Sequence, residues 1–314
     1  QAGLEVALFE RETAIRPDRR TYIITPGLDR VIEDLPEALI RHRVNKIAVQ
    51  AGAAVRKIDL HEPDLVLDRR DLTQHLGRRA QHAGAAIFPG MEFQTFRVEE
   101  GRTRLIFKDQ DGQERVMSAD AVIGADGAFS RVGREAGFAK PPTVPLLQAE
   151  TALPPDWNPA LTKVWFDLEK TRYFFWLIPE SRSRGVVGLI GNPGSDVRGI
   201  LNEFLDSLGV EAERFQSGQA AMHHPRLKPW REVGNTQVLL IGDAAGQVKV
   251  TTVGGTVTGL WGAQAAAEAV IEGKEYLELI KPLERELDLH WWIRGLLERM
   301  DPGDCRKMVE RLSP

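Results

Sequence analysis

The stretch that most limits what this chain can become is VLLIGDAAGQVKVTTVGG, residues 238–255. An apolar run, Val238–Ile241, ends in Gly242-Asp243, and the turn after it holds Ala244, Ala245 and Gly246. Gly254-Gly255 then opens a long helix through Ala265-Ala266-Ala267 to Glu272. A buried strand, a turn of small residues and a helix in that order specify an α/β layer. Small residues let backbone come close to a ligand. The helix start offers free N–H groups and the positive end of a dipole, which suits negative charge. Asp243 is placed to accept hydrogen bonds from hydroxyl groups. The alternative is a plain strand–turn–helix connection.

A second apolar strand, in ADAVIGADGAFSRV (119–132), ends in Gly124-Ala125-Asp126-Gly127, with Ser130-Arg131 beyond it. Asp-Gly alone is a turn; after a buried strand and before Ser-Arg it is more specific. Residues 4–10, LEVALFE, predict a buried strand ending in Glu10. In dinucleotide-binding folds an acidic residue about 20 positions beyond the glycine fingerprint binds a ribose hydroxyl. Here the sequence begins too late to hold that fingerprint. Gly3 reads as the C′ glycine of a helix, so a first strand, its glycine turn and most of a helix are expected to be absent from the chain. The alternative leaves Glu10 as a surface charge.

Between these motifs, residues 31–48 predict an amphipathic helix and 54–68 a strand pair turning at His61-Glu62-Pro63-Asp64. A helix is expected over 70–83, closed by Gly84, then a short strand at 85–88. Asp109-Gln110-Asp111-Gly112 signals a hairpin between 103–108 and 114–118. Pro141-Pro142 and Pro154-Pro155 mark a change of domain. Strands follow around 163–167, 173–178 and 186–190, with a helix at 200–208 and a helical tail over 276–312. The expected division is 1–140 with 231–275, then 141–230 with part of 43–66, then a C-terminal helical segment, 276–314. Lys+Arg 41 against Asp+Glu 45 lacks the basic excess of a nucleic-acid binder. One cysteine, Cys305, excludes an internal disulfide and a cysteine zinc cluster, and no metal site is expected. The compartment expected is the cytosol, without a transmembrane span.

Together these motifs resemble the FAD-dependent oxidoreductases with the p-hydroxybenzoate hydroxylase fold. LFER (8–11) is similar to the ribose-binding strand end, with Glu10 and Arg11. LVLDRRDLTQHL (65–76) is similar to the segment with an FAD-contacting arginine, here Arg69. GADG (124–127), with Asp126 and Gly127, resembles the second FAD/NAD(P)H motif, and GDAAG (242–246) the ribityl-binding motif. Within that group the chain resembles the geranylgeranyl reductase family. Its YxWxFP motif is matched by Phe174-Phe175-Trp176-Leu177-Ile178-Pro179, and the first glycine of its GxG by Gly188, with Ile190 in place of the second. ELDLHWWIR (286–294) and the full GDAAGQVKVTTVGG spelling are also similar.

The resemblance implies a Rossmann-like FAD-binding domain, N-terminally truncated, an inserted antiparallel β-sheet substrate domain and a C-terminal helical tail. It implies FAD held by Glu10, Arg11, Arg69, Asp126, Gly127, Gly242, Asp243, Gly246, Gly254 and Gly255. Phe174, Trp176, Pro179 and Gly188 would line a prenyl chain; the other reading makes Phe174, Trp176 and Trp165 sheet core. NAD(P)H or ferredoxin would supply electrons, and no proton donor can be named. The rival functions are a flavin monooxygenase or halogenase acting on an aromatic compound, and a lipid-binding protein or inactive fragment without turnover. His223 and His224 read as surface loop residues or as a proton donor, and His75 and His82 as the polar side of a helix. The tail stripe Leu289, Trp292, Ile293, Leu296 and Met300, with Trp291 off it, either docks on the flavin domain or rests on a bilayer as a peripheral contact.

Overall fold

The computed structural model describes residues 3–15, 19–25, 27–28, 31–32 and 34–312. The chain divides into two compact units: residues 1–18, 70–142 and 221–291 in the first, 19–69, 143–220 and 292–314 in the second.

In the first unit β1 (Ala7–Glu10) pairs in parallel with β5 (Ala86–Pro89), and α1 (Arg69–His82) leads into β5 through Gly84, at φ +98°. β6 (Glu92–Glu99), β7 (Arg102–Lys108) and β8 (Glu114–Met117) form an antiparallel meander. Phe9 and Phe93 both pack on Phe107, with centroids 4.3 and 5.6 Å away. A third sheet orders β15 (Trp230–Val233), β16 (Thr236–Leu240) and β9 (Ala121–Gly124), the last two parallel. Alternation along β16 feeds both of its faces. Val238 and Leu240 pack with Val132 and Ala136 of α2 (Arg131–Glu135) and its cap. Leu239 packs with Ala265, Ala266 and Ala269 of α4 (Thr256–Glu272) and with α5 (Tyr276–Leu279).

The second unit is built on one eight-stranded sheet, ordered β14 (Arg214–Ala221), β10 (Thr143–Ala152), β13 (Arg184–Ile190), β12 (Phe175–Pro179), β11 (Leu161–Phe166), β3 (Ile40–Ala51), β4 (Ala54–Asp68), β2 (Thr21–Ile24). One face carries Leu147, Ala149, Phe175, Leu177, Val187 and Leu189 against Leu201 and Leu205 of α3 (Val197–Leu208). The strand register puts Gln148, Trp176 and Gly188 side by side on the other face. On that face the sheet curls until its edges meet. Gln216 Oε1 accepts from the Thr21 N–H at 3.2 Å, Gln148 Nε2 donates to Gln216 Oε1 at 2.7 Å, and Arg20 donates to the Ser217 carbonyl. Two buried glutamines thus take over the edge hydrogen bonds that a ninth strand would supply. α6 (Lys281–Leu297) runs out of the first unit's residues into the second's, and α7 (Pro302–Arg311) packs Cys305 and Val309 on Ala51 and Ala54.

Several expectations are corrected. Residues 31–48 are not a helix: the described part is turn and a short 3-10 segment, Glu37–Leu39, followed by β3, with Glu33 outside the described residues. Ile40, Val44, Ile47 and Ala48 fall on helical spacing because β3 shifts register between Ile40 and His42 and again between Val44 and Lys46. Each irregularity resets the two-residue alternation and lengthens the apparent period. The expected strand pair over 54–68 is one strand. Lys46 faces Asp59 and Val44 faces Asp64, so Leu60–Pro63 bulge without partners on β3, where Pro63 needs no N–H to give. β1 is shorter than expected and half exposed rather than buried, with Leu8 38% exposed. No strand was expected at β6, β10 or β14.

Candidate functional site

β9 and β16 are adjacent and parallel, with Gly124 opposite Leu240, so the turns that follow them leave the sheet at the same end. The Ile241 N–H donates to the Gly124 carbonyl at 3.0 Å and keeps the two turns together. Ligands in open α/β sheets bind at the carboxyl ends of the strands.

The Gly242–Ala245 turn is a short 3-10 segment bounded by two left-handed glycines, Gly242 at φ +58° and Gly246 at φ +67°. Its position is set by Gln247. The Gly242 N–H donates to Gln247 Oε1 at 2.7 Å, Gln247 Nε2 donates to the Tyr276 hydroxyl at 3.1 Å, and that hydroxyl donates to the Leu240 carbonyl at 2.9 Å. Thr258 Oγ1 donates to the Gln247 carbonyl at 2.6 Å. α4 lies close against this turn because its near side is bare: a Cβ at Gly259 would stand 3.2 Å from Gly242 Cα, and one at Gly262 would stand 2.0 Å from Gln247 Oε1. Gln247, Thr258, Gly259, Gly262 and Tyr276 are the supporting residues that motif reading missed. The spacing Gly255, Gly259, Gly262 along one helix face was the signal available for them.

The structure gathers Gly242, Asp243, Gly246, Gly254 and Gly255 into one place. Asp243 Oδ2 accepts from the Ala221 N–H at 3.3 Å, and a Cβ at Gly255 would lie 3.4 Å from Asp243 Oδ1. Gly254 closes a tight loop onto Lys249, and Val253 within it takes φ +54°, a left-handed conformation costly for a β-branched residue. Asp126 is committed to its own helix: its carboxylate accepts from Ser130 Oγ and from the N–H groups of Arg131 and Val132 at 2.6 and 2.9 Å. Gly127 beside it is at φ +82°. Glu10 ends β1 in a separate sheet and accepts from the Glu12 N–H at 2.9 Å, while Arg11 pairs with Glu12 on the surface. Arg69 begins α1, its N–H donating to the Arg20 carbonyl at 2.9 Å.

These residues suit an FAD. α4 starts at Gly255 without a side-chain cap, leaving its first-turn N–H groups for an outside acceptor. Around Gly127 and Gly242 no atom lies within 4 Å of where a Cβ would stand, so the backbone there is open to close approach.

In the second unit Phe174 and Trp176 meet edge to face, 6.1 Å between centroids, and Phe174 meets Phe166 in the same way. Trp176 Nε1 donates to Gln148 Oε1 at 3.2 Å. A Cβ on Gly188 would stand 2.5 Å from Trp176 Cζ2, so the indole lies across the glycine. Pro179 is paired with Gly185 and by alternation takes the α3 face, apart from Trp176. Trp165 is core, edge-on to Phe204.

The remaining expectations divide. His223 is buried, 7% exposed, rather than a surface loop residue, and its Nε2 lies 2.7 Å from Asp288 Oδ1. Burial holds its pKa below the ordinary histidine value. His75 is half-buried with Nε2 unpartnered among the described residues, while His82 is exposed. The tail stripe divides: Leu289, Trp292 and Leu296 are 56%, 60% and 45% exposed, Ile293 and Met300 are half-buried with Met300 packed beside Cys305 and Val309, and the buried face of α6 is Leu283, Leu287 and Arg294. Arg294 is held there by the Arg172 carbonyl and the Tyr173 ring. Among the described residues no helix is long and apolar enough to cross a membrane.

Residues 27–191, just over half of the chain, match the family described as FAD binding domain. The chain is 28% identical over 297 residues to a geranylgeranyl diphosphate reductase of Rhodobacter capsulatus, covering 91% of this chain and 73% of that protein. It is 27% identical to digeranylgeranylglycerophospholipid reductase 1 of Methanopyrus kandleri, covering 100% of this chain and 88% of that protein. Among solved structures it superposes on a geranylgeranyl bacteriochlorophyll reductase-like protein of Thermoplasma acidophilum with TM-score 0.85 at 20% identity, covering 98% of this chain and 85% of that one. It superposes on the flavin-dependent brominase Bmp2 with TM-score 0.67 at 16% identity, covering 98% and 93%. With a glycine-rich turn built at the ends of two parallel strands, and with residues 27–191 matching the family model, the chain belongs to the FAD binding domain family and is similar along most of its length to geranylgeranyl reductases.

Proposed function

We propose that the protein reduces isolated carbon–carbon double bonds in the polyprenyl chain of a geranylgeranyl-type lipid or diphosphate. The observation behind this reading is the Phe166, Phe174, Trp176 strip on the inner face of the curved sheet, with Gly188 bare beneath the indole. An aromatic strip suits a long hydrocarbon, and the Gln148 amide beside it is taken up by Trp176 and Gln216. Gly242, Asp243, Gly246, Gly254, Gly255 and the start of α4 would hold FAD, with Asp126, Gly127, Glu10, Arg11 and Arg69 as further contacts. When bound and reduced, FAD supplies the hydride. The chain's own part is to fix the cofactor turn, align the prenyl chain and keep water away. NAD(P)H or a ferredoxin is the electron donor in this reading. The exposed Leu289, Trp291, Trp292 and Leu296 of α6 would rest on the bilayer from which such a substrate comes. Anaerobic incubation of the FAD-loaded protein with dithionite and geranylgeraniol diphosphate tests it: loss of substrate double bonds supports the reading. No reduction, with oxygen uptake on adding an aromatic compound instead, favours the monooxygenase reading.

A further inference from the structure

The loop from Met222 to Pro229 supports the Gly242–Gly246 turn from below. A Cβ on Gly246 would stand 2.7 Å from Leu227 Cδ1 and 3.2 Å from the Met222 carbonyl oxygen, so loop and turn touch. His223 points into this junction. With Ala245, Gln247, Leu283, Glu284 and Leu287 it lines a cavity of about 10 Å³, room for one water molecule. Its Nε2 lies 2.7 Å from Asp288 Oδ1 on α6. On the other side of the turn α6 makes two more ties, Glu286 to Lys249 Nζ at 2.5 Å and His290 Nδ1 to Thr251 Oγ1 at 2.6 Å.

We propose that His223 is a positioning residue for the cofactor turn, its ring pairing with the Asp288 carboxylate and so tying the loop beneath the turn to α6. This rests on the reading that the turn holds FAD. His223 does not touch the cofactor in this scheme; it sets where Gly246 and its neighbours stand.

The chemistry makes the tie sensitive to pH. A neutral imidazole gives the Asp288 carboxylate at most one ordinary hydrogen bond, whereas an imidazolium gives it a charge-assisted one. Burial, helped by His224, keeps the ring neutral near pH 7, and Asp288 opposes that tendency. The other charged groups near it are Glu284 of α6, which lines the same cavity, and Lys228 of the loop, which acts on Glu284. Burial and Asp288 push the Glu284 carboxyl up, while Lys228 and Lys281 pull it down. Acidification therefore strengthens the tie and should tighten cofactor binding.

The test is FAD affinity of the full chain by flavin fluorescence from pH 8 to 5.5, with thermal unfolding of the same samples. Wild-type affinity should rise severalfold on acidification. His223→Leu should bind about tenfold more weakly at the acid end of the range, the worth of one charge-assisted hydrogen bond, and lose the pH step. His223→Gln should recover part of the affinity but not the step, and Glu284→Gln should keep both. Asp288→Asn, at the protein surface, should flatten the step without unfolding the chain, and decides the matter if His223→Leu does not fold. Unchanged affinity and an unchanged step in His223→Leu, or an unchanged step in Asp288→Asn, would overturn the proposal while leaving the FAD site standing. A wild-type chain that takes up no FAD at any pH overturns the reading of the site itself, and this inference with it.

Discussion

At the scale of single residues, two positions have consequences that can be measured. Gly188 has no room for a side chain: a Cβ would stand 2.5 Å from Trp176 Cζ2 and 2.6 Å from Gln148 Cβ. Gly188→Ala should cost about 1–3 kcal/mol through overpacking and shift the tryptophan fluorescence; urea unfolding followed by that fluorescence reads both. Asp64 is a different case. It is 5% exposed, makes no hydrogen bond or ion pair within the described residues, and is pushed by burial up to about 6 from an ordinary value of 3.8. A carboxyl whose pKa is raised by folding binds its proton more tightly in the native state. Its contribution is therefore most favourable below pH 3.8, declines as pH rises towards 6, and stays at its least favourable above that. Asp64→Asn should stabilise the protein by up to about 3 kcal/mol at pH 7.5 and change little at pH 3.5. Equal effects at both pH values would mean that the carboxyl is not desolvated. Neither position stood out in the sequence beyond the motif glycine, because burial belongs to the neighbours and not to the residue.

At the scale of elements, α6 shows how helical periodicity can be read correctly and assigned to the wrong side. Leu289, Trp292 and Leu296 do recur on one face, yet the buried residues are Leu283, Leu287 and Arg294. The arginine is accepted inside because the Arg172 carbonyl and the Tyr173 ring receive it. In the proposed reading this exposed apolar face rests on lipid. Replacing Leu289, Trp292 and Leu296 together by Ser should leave the unfolding free energy within about 1.5 kcal/mol, since each side chain is largely solvated, and should abolish flotation with anionic vesicles. Retained flotation would place the membrane contact elsewhere. β3 teaches the companion lesson: two bulges convert a strand's alternation into spacing that mimics a helix. Bulges are fixed by the partner strand, and single-chain periodicity has no access to the partner.

At the scale of the whole molecule, cofactor and fold should be linked. FAD that binds the native chain alone raises its stability by about 2.7 kcal/mol at a free concentration 100 times its dissociation constant. Calorimetric unfolding should therefore shift upward by several degrees with added FAD and saturate at one flavin per chain; an unchanged transition would speak against cofactor binding by these residues. The sequence by itself determined the strand, turn and helix around Gly242–Gly246, since the apolar strand, Gly242-Asp243, Gly246 and the Gly254-Gly255 helix start are local features set by adjacent residues. It determined the α/β class for the same reason, and the aromatic strip with its bare glycine was legible as a pattern. Only the tertiary structure decided that Gln148 and Gln216 close the sheet onto Thr21, that Gln247 and Tyr276 anchor the turn, and that His223 is buried against Asp288. Those pairs are separated by 29 to 195 residues of chain. No periodicity spans such distances, and their hydrogen bonds gain strength only where folding has removed the water.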